Sequence, residues 1–241
     1  MRLIVRDADT EATAREIVPP VADDLLWWGF LNTDDDKVER NFSDGSLGSL
    51  AGAPTVESGY TTFDAPAQYL SAAIAETDYM TFCFAMKAVS DPASTATAPV
   101  AAGNYVSSPL KGLMMWFTAA AGGSPFPAAA LRFTVVTDSA NQCALQVTDA
   151  DEWKFYIGVA RSGAVDLYNM TDGTSATLVT TGARAKNTDR IRIGAGVSQS
   201  FGGTMDIAGG CIYGRALDED ERSAVYTYWK DTYLPSKSIT V

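Results

Sequence analysis

The chain is predicted to be all-β with one short C-terminal helix, and three features of the sequence carry that expectation. Large apolar residues recur with period two in MTFCFAM and WKFYIGV, and QCALQVT alternates apolar with polar, as strands with one face in a core do. Turn-forming pairs, Ser162-Gly163 and Asp172-Gly173, separate such runs at hairpin spacing. Only one stretch, beyond Leu217, combines helical spacing with good capping residues.

From the start, residues 1–24 read as an arm set apart from the rest. MRLIV can make a short strand and TEATAREI a helical turn, and VPP then breaks the pattern. The arm is either a strand that pads a sheet or a tether to a partner. LLWWGFLN is apolar on both faces and reads as a buried strand; because strand side chains alternate, Trp27 and Trp28 must point opposite ways. The polar run DDDKVERNFSDGS follows as a loop. Its Asp34, Asp35 and Asp36, with Asp64 in TTFDAPAQYLS, are the candidate ligands for a calcium ion, which takes six to eight oxygens. The D-x-[DN]-x-[DN]-G spacing is absent, which favours a solvated acidic loop, so calcium binding is expected to be weak or absent.

Residues 79–89 form a core strand with Met80, Phe82, Phe84 and Met86 on one face. SDPASTATAPVAAGNYVSSPLKG is read as a long connection, and AAAGGSPFPAAA as a second soft loop between the strands GLMMWFT and ALRFTVVT. Both are rich in small residues and nearly uncharged, which suits either packing on a neighbouring subunit or mobility. In WKFYIGVAR, Trp153, Phe155, Ile157 and Val159 share a face. Near the end, DRIRI and the run from Met205 to Tyr213 are strands. The second places Met205, Ile207, Cys211 and Tyr213 on one face, with Asp206, Ala208, Gly210 and Ile212 on the other. Its glycines suggest a bulge or the close approach of another backbone. Asp218 and Glu221 then form a capping box, Ala224, Val225, Tyr228 and Trp229 an apolar stripe, and Pro235 a stop.

Composition removes several function classes. A formal net charge of −11 argues against nucleic acid and against anionic lipid as partners. There is no histidine, so Ser-His-Asp and Cys-His sites cannot be built within this chain. Cys83, Cys143 and Cys211 have no zinc spacing and are expected to be buried free thiols. No run reaches the ~20 apolar residues of a membrane span. The charged first residues are unlike a signal peptide, so synthesis in the cytoplasm without export is expected. The five tryptophans lie in patterned strands or in the helix and are expected to be core.

The run G-x-M-D-I-x-x-x-x-I-Y-G-R-A-L-D-E-D-E, from Gly203 to Glu221, resembles the C-terminal signature of the concanavalin A-like, laminin-G-type jelly rolls, in which a strand ending Y-x-R-A-L precedes a short helix. LLWWGFLN, YMTFCFAMKAV and EWKFYIGVARSGAVDLYNMTDGT resemble earlier strands of that family, in its order. The resemblance spans roughly residues 25–234. It implies an antiparallel two-sheet jelly-roll sandwich over residues 25–241. Asp64 falls where the family has its F-D-G turn, with Ala65 in place of the glycine.

For function the resemblance leaves three readings. The first is a non-catalytic structural or adhesion protein of a tailed-bacteriophage virion, in a tail, baseplate or fibre or as a capsid decoration. Its partners would be other virion proteins, further copies of itself in a homo-oligomer, and a glycan of the host surface. The second is a carbohydrate-binding lectin domain. The third is a glycoside hydrolase. The related glucanases carry E-x-D-x-x-E or E-x-D-x-E on one strand, so that alternate carboxylates face a cleft. The nearest run here, Glu76-Thr77-Asp78, lacks the third acid, so no enzyme activity is expected and no cofactor beyond the calcium ion considered above.

Overall fold

The alternating runs become two antiparallel sheets laid face to face. The computed structural model describes residues 18–241; the short strand and helical turn expected within residues 1–17 lie outside them. In chain order the strands begin with β1 (Leu25–Phe30), β2 (Ser49–Ala51), β3 (Thr55–Val56), β4 (Thr61–Ala65), β5 (Tyr69–Ser71) and β6 (Met80–Ala88). They continue with β7 (Val100–Gly103), β8 (Val106–Ser107), β9 (Leu110–Lys111), β10 (Leu113–Ala119), β11 (Ala129–Val136) and β12 (Ala140–Val147). The last are β13 (Lys154–Arg161), β14 (Ala164–Asn169), β15 (Thr174–Val179), β16 (Arg192–Ile193) and β17 (Gly203–Tyr213). An eight-stranded sheet runs β15-β14-β13-β6-β17-β4-β3, with β1 also paired to β17. A seven-stranded sheet runs β12-β11-β10-β7-β16-β5-β2, and β8 and β9 form a small hairpin. This is the jelly-roll sandwich that the sequence predicts.

Between the sheets, Phe82, Phe84 and Met86 of β6 meet Met115 and Phe117 of β10 and Leu131 and Phe133 of β11. Trp27 joins this core, whereas its neighbour Trp28 points to the opposite side of the sheet. There it is covered by the helix α2 (Glu219–Tyr228). The capping box forms as expected: Asp218 accepts from the Glu221 amide, and Glu221 accepts from the Asp218 amide. The helix continues through a wider turn, Trp229–Tyr233, and a tight one, Leu234–Lys237. Trp229 stacks on Trp28 at 5.9 Å and lies 5.6 Å from Phe30. Truncating Trp229 to alanine would cost about 3–5 kcal/mol. Over β1, β17, β6 and β13 the outer face of the eight-stranded sheet is thus a second core rather than a surface.

The structure corrects the sequence expectation in three places. The polar run after β1 contains a short helix, α1 (Asp35–Glu39), started by Asp34 accepting from the Lys37 amide at 2.8 Å. The long connection after β6 contains β7, an inner strand of the seven-stranded sheet. Val-Ala-Ala-Gly lacks the β-branched and aromatic residues that advertise a strand, yet all four of its residues are buried. Third, β17 carries a register shift between Ile207 and Gly209. One extra residue inverts the alternation beyond it. Met205 and Ile207 face the inter-sheet core with Ile212, while Ala208, Cys211 and Tyr213 face α2. Gly209 has φ +158, and a Cβ there would lie 2.6 Å from the Gly29 carbonyl oxygen and 2.8 Å from the Trp229 ring. Both expected reasons for the glycines therefore operate at once.

The end of the arm lies on this second core. Val21 packs against it and its carbonyl accepts from the Tyr213 hydroxyl at 3.2 Å. The Asp24 carbonyl accepts from the Gly214 amide at 2.8 Å. Cys83, Cys143 and Cys211 are free and buried, as expected.

Candidate functional site

With one outer face sealed by α2, the open face of the sandwich belongs to the seven-stranded sheet. The register fixes what that face shows. Trp116 on β10 stands beside Arg132 on β11, and Met114 beside Thr134, which in turn stands beside Gln142 on β12. These residues are linked. The Trp116 indole N–H donates to Thr134 Oγ1 at 3.0 Å, and Arg132 Nη1 donates to Gln142 Oε1 at 2.7 Å. The Arg132 guanidinium lies 5.9 Å from the Trp116 ring centroid, and its buried Nε makes no hydrogen bond.

The segment 194–202 crosses the same face. It is tied down by backbone bonds from Gly194 to the Ala101 carbonyl (2.8 Å), from Ser198 to the Tyr105 carbonyl (3.1 Å) and from Gly202 to the Thr95 carbonyl (3.2 Å). Gly194 starts the turn with φ +85, where a Cβ would also strike the Phe63 ring. The segment delivers Phe201, which meets Trp116 edge-on at 4.9 Å, with Tyr105 6.1 Å beyond. Trp116 is left 8% exposed. Further along the face, Arg192 stacks on Tyr69 at 4.2 Å. Burial pushes the Tyr105 phenol above its ordinary pKa, so it stays a hydrogen-bond donor at neutral pH. A half-buried ring such as Tyr105 beside guanidinium and amide donors can cover the apolar side of a ligand while those groups donate to its hydroxyls.

The acids singled out in the sequence are elsewhere and mostly engaged. Glu76 is buried, accepts from Arg184 Nη2, and accepts from the Asn187 amide at 3.0 Å. Burial holds its carboxyl above the ordinary value in spite of the Arg184 charge. Asp78 is bonded to Lys186 Nζ at 2.6 Å. Asp206 takes the Thr62 hydroxyl at 2.6 Å and lies 3.4 Å from Lys87 Nζ. Asp34 caps α1, Asp35 and Asp36 lie exposed in its first turn, and Asp64 on β4 accepts from the Thr204 hydroxyl at 3.2 Å. Among the described residues, these acids, the other acids and the cysteines form no group of three or more able to hold a metal ion.

The residues of the open face were not singled out in the sequence, apart from Trp116, which is largely covered as expected. A signal was present: Arg132 and Thr134 are the only polar residues in AALRFTVV and share one parity. Nothing local ties Tyr105 or Phe201 to them.

No protein-family model and no curated protein sequence matches the chain. Solved structures do. One is botulinum neurotoxin type C, in work on its cell entry through interaction with two ganglioside molecules, at TM-score 0.63 and 11% identity over 87% of this chain and 52% of that one. Another is the binding domain of botulinum neurotoxin DC in complex with rat synaptotagmin II, at 0.60 and 10% over 86% and 51%. A third is the binding domain of Paraclostridial Mosquitocidal Protein 1, at 0.58 and 10% over 86% and 52%. The chain spans about half the length of these structures, and at such identities what it shares with them is the fold.

Proposed function

We propose that the chain is a non-catalytic binding module whose working surface is the open face of the seven-stranded sheet, and that its ligand is a glycan. The observation that carries this reading is the linked set Trp116, Arg132, Gln142, Phe201 and Tyr105. It puts the half-buried Tyr105 ring, backed by the buried Phe201 and Trp116, beside the Arg132 and Gln142 donors on the one sheet face that α2 does not cover. The similar toxin structures include a ganglioside-dependent and a synaptotagmin-bound domain. They support recognition as a use of the fold, although each is about twice as long as the region matched.

The absence of hydrolysis is part of the proposal. A glycosidase needs two carboxyl groups facing the scissile bond. Here Glu76 is buried against Arg184, and Asp78 is engaged by Lys186. The setting we propose is a bacteriophage virion, in a tail, baseplate or fibre or as a capsid decoration, where such a face would touch host glycans. The uncharged loop 119–130 supports it, since that loop suits contact with neighbouring proteins.

A glycan array followed by calorimetry tests the reading. Binding of an oligosaccharide should be lost in the Tyr105→Ala/Arg132→Ala variant with the melting temperature within a few degrees of the parent. Binding that survives those changes, or cleavage of the glycan that is lost in Glu76→Gln, would overturn it.

A further inference from the structure

The eight-stranded sheet ends in β15, and that edge is unusual for so acidic a chain. The strand reads Thr-Ser-Ala-Thr-Leu-Val, with no charge, proline or glycine, and its pairing with β14 runs without a bulge from Asn169↔Thr174 to Ala164↔Val179. Edge strands are ordinarily blunted by such features, because they present unpaired backbone groups to any other strand. The opposite edges of the two sheets, β3 and β2, are only two and three residues long. Behind β15 lies β12, Ala-Asn-Gln-Cys-Ala-Leu-Gln-Val, also uncharged. Asp166, opposite Thr177 on the neighbouring strand, is already held by Arg161 at 2.5 and 3.2 Å and by the Thr177 hydroxyl at 2.7 Å.

The hydrogen-bond phase of the edge follows from one bond. The Thr180 amide donates to the Gly163 carbonyl at 2.9 Å. In an antiparallel ladder bonded and non-bonded pairs alternate. Thr174, Ala176 and Leu178 therefore bond to β14, and Ser175, Thr177 and Val179 turn their N–H and C=O groups outward. Those three residues are also exposed, Val179 at 77%.

We infer that β15 is the contact between two copies of this chain, paired antiparallel about a two-fold axis at Thr177. Two outward phases can bond only if odd-numbered residues face odd-numbered residues. The register with full overlap sets Thr177 opposite Thr177 and Ser175 opposite Val179, and forms about six hydrogen bonds. It is self-complementary in side chains. Thr faces Thr, Ala176 faces Leu178, and no like charges meet. Val179, the most exposed large apolar side chain among the described residues, is set opposite Ser175. Ser175 lines a cleft of about 390 Å³ that also holds Tyr168, Met170, Glu219 and Arg222. A second copy is the occupant that this register suits: β15 itself carries no charge, so two chains of net charge −11 can pair along it without like charges directly opposite each other. This inference does not rest on the glycan reading, because it uses the other sheet.

Light scattering on the full chain after size exclusion tests it. The parent should show twice the monomer mass of 25.6 kDa, with a dissociation constant on the order of micromolar for so narrow a contact, and should tighten with added salt. The Ser175→Glu/Val179→Glu variant places like charges opposite each other twice, and should weaken association on the order of tenfold or more with an unchanged melting temperature. The Ser175→Lys/Val179→Glu variant places opposite charges there and should restore the dimer. Hydrogen exchange should be slow at the Ser175, Thr177 and Val179 amides of the parent and fast in the doubly acidic variant. A parent that stays monomeric at millimolar concentration overturns the inference and leaves the edge to a strand from another protein. A dimer indifferent to both double variants overturns it as well.

Discussion

Removing the Glu76 carboxylate should destabilise the chain strongly, and removing Arg184 with it should restore most of the loss. Glu76 has no exposed side-chain area and Arg184 only 11%. The pair fixes the irregular segment before β16 through the Asn187 amide. Asn187 is linked in turn to Asn104, whose Nδ2 donates to the Asp189 carbonyl at 3.0 Å. In Glu76→Ala the guanidinium remains buried without its counter-charge, which costs about 3 kcal/mol, the lower end for a broken buried pair because Arg184 keeps some access to water. In a chain of this length that is a fall of roughly 6–12 °C in melting temperature. In Glu76→Ala/Arg184→Met neither charge is buried, and the loss should shrink to about 1 kcal/mol. Guanidinium denaturation at neutral pH, with unchanged m-values, measures both. If the single variant loses less than about 1 kcal/mol, or if the double variant is no better than the single, then the pair is not what holds this segment.

Three further outcomes are expected. In acid, Glu221 and Glu76 should act with opposite signs. Arg215 holds the Glu221 carboxyl below its ordinary value, so its stabilisation is present at neutral pH and is lost as pH falls through the folded value, and Glu221→Gln should flatten that limb of a melting series. Glu76 sits above its ordinary value of 4.5, so its contribution is gained as pH falls and is lost as pH rises through the folded value, and Glu76→Gln should remove that slope. Deleting residues 1–23 should leave a folded sandwich about 1–2 kcal/mol less stable, since Val21 and its bond from Tyr213 go with the arm; a truncated chain without cooperative melting would make the arm part of the core. Calcium should give no heat in calorimetry at micromolar concentration, and a micromolar affinity that survives Asp64→Ala and the triple Asp34→Ala, Asp35→Ala and Asp36→Ala change would place the ion elsewhere.

Most of the architecture was legible because burial enforces alternation on a half-buried strand. That is why Trp27 and Trp28 could be assigned to opposite sides before either environment was known, and why the face of Phe155, Ile157 and Val159 was found. Legibility failed where alternation carries no information. Val100–Gly103 is buried on both faces by small residues, so nothing distinguishes it from a loop. Cys211 and Tyr213 changed sides because a bulge is a property of register between strands, and the strand's own sequence hints at it only through its glycines. The open face was hidden for another reason. Trp116, Arg132 and Gln142 come from three strands, and Tyr105 and Phe201 from two connections, so only the pairing of the sheet brings them together.

The place of β17 has a consequence for how the chain matures. It is the last of this sheet's strands in chain order, and it lies in the middle of the eight-stranded sheet, with β6 along one side and β4 and β1 along the other. Until Tyr213 has emerged, β6 and β13 can pair, but they present a bare apolar edge with no neighbour. Helix α2, which must then cover Trp28, follows immediately. Folding therefore waits on contacts between segments far apart in the chain, a topology that proceeds slowly. During synthesis the half-built sheet is a surface that a chaperone would hold, and a lesion in residues 203–237 would leave the whole domain unassembled rather than merely shortened.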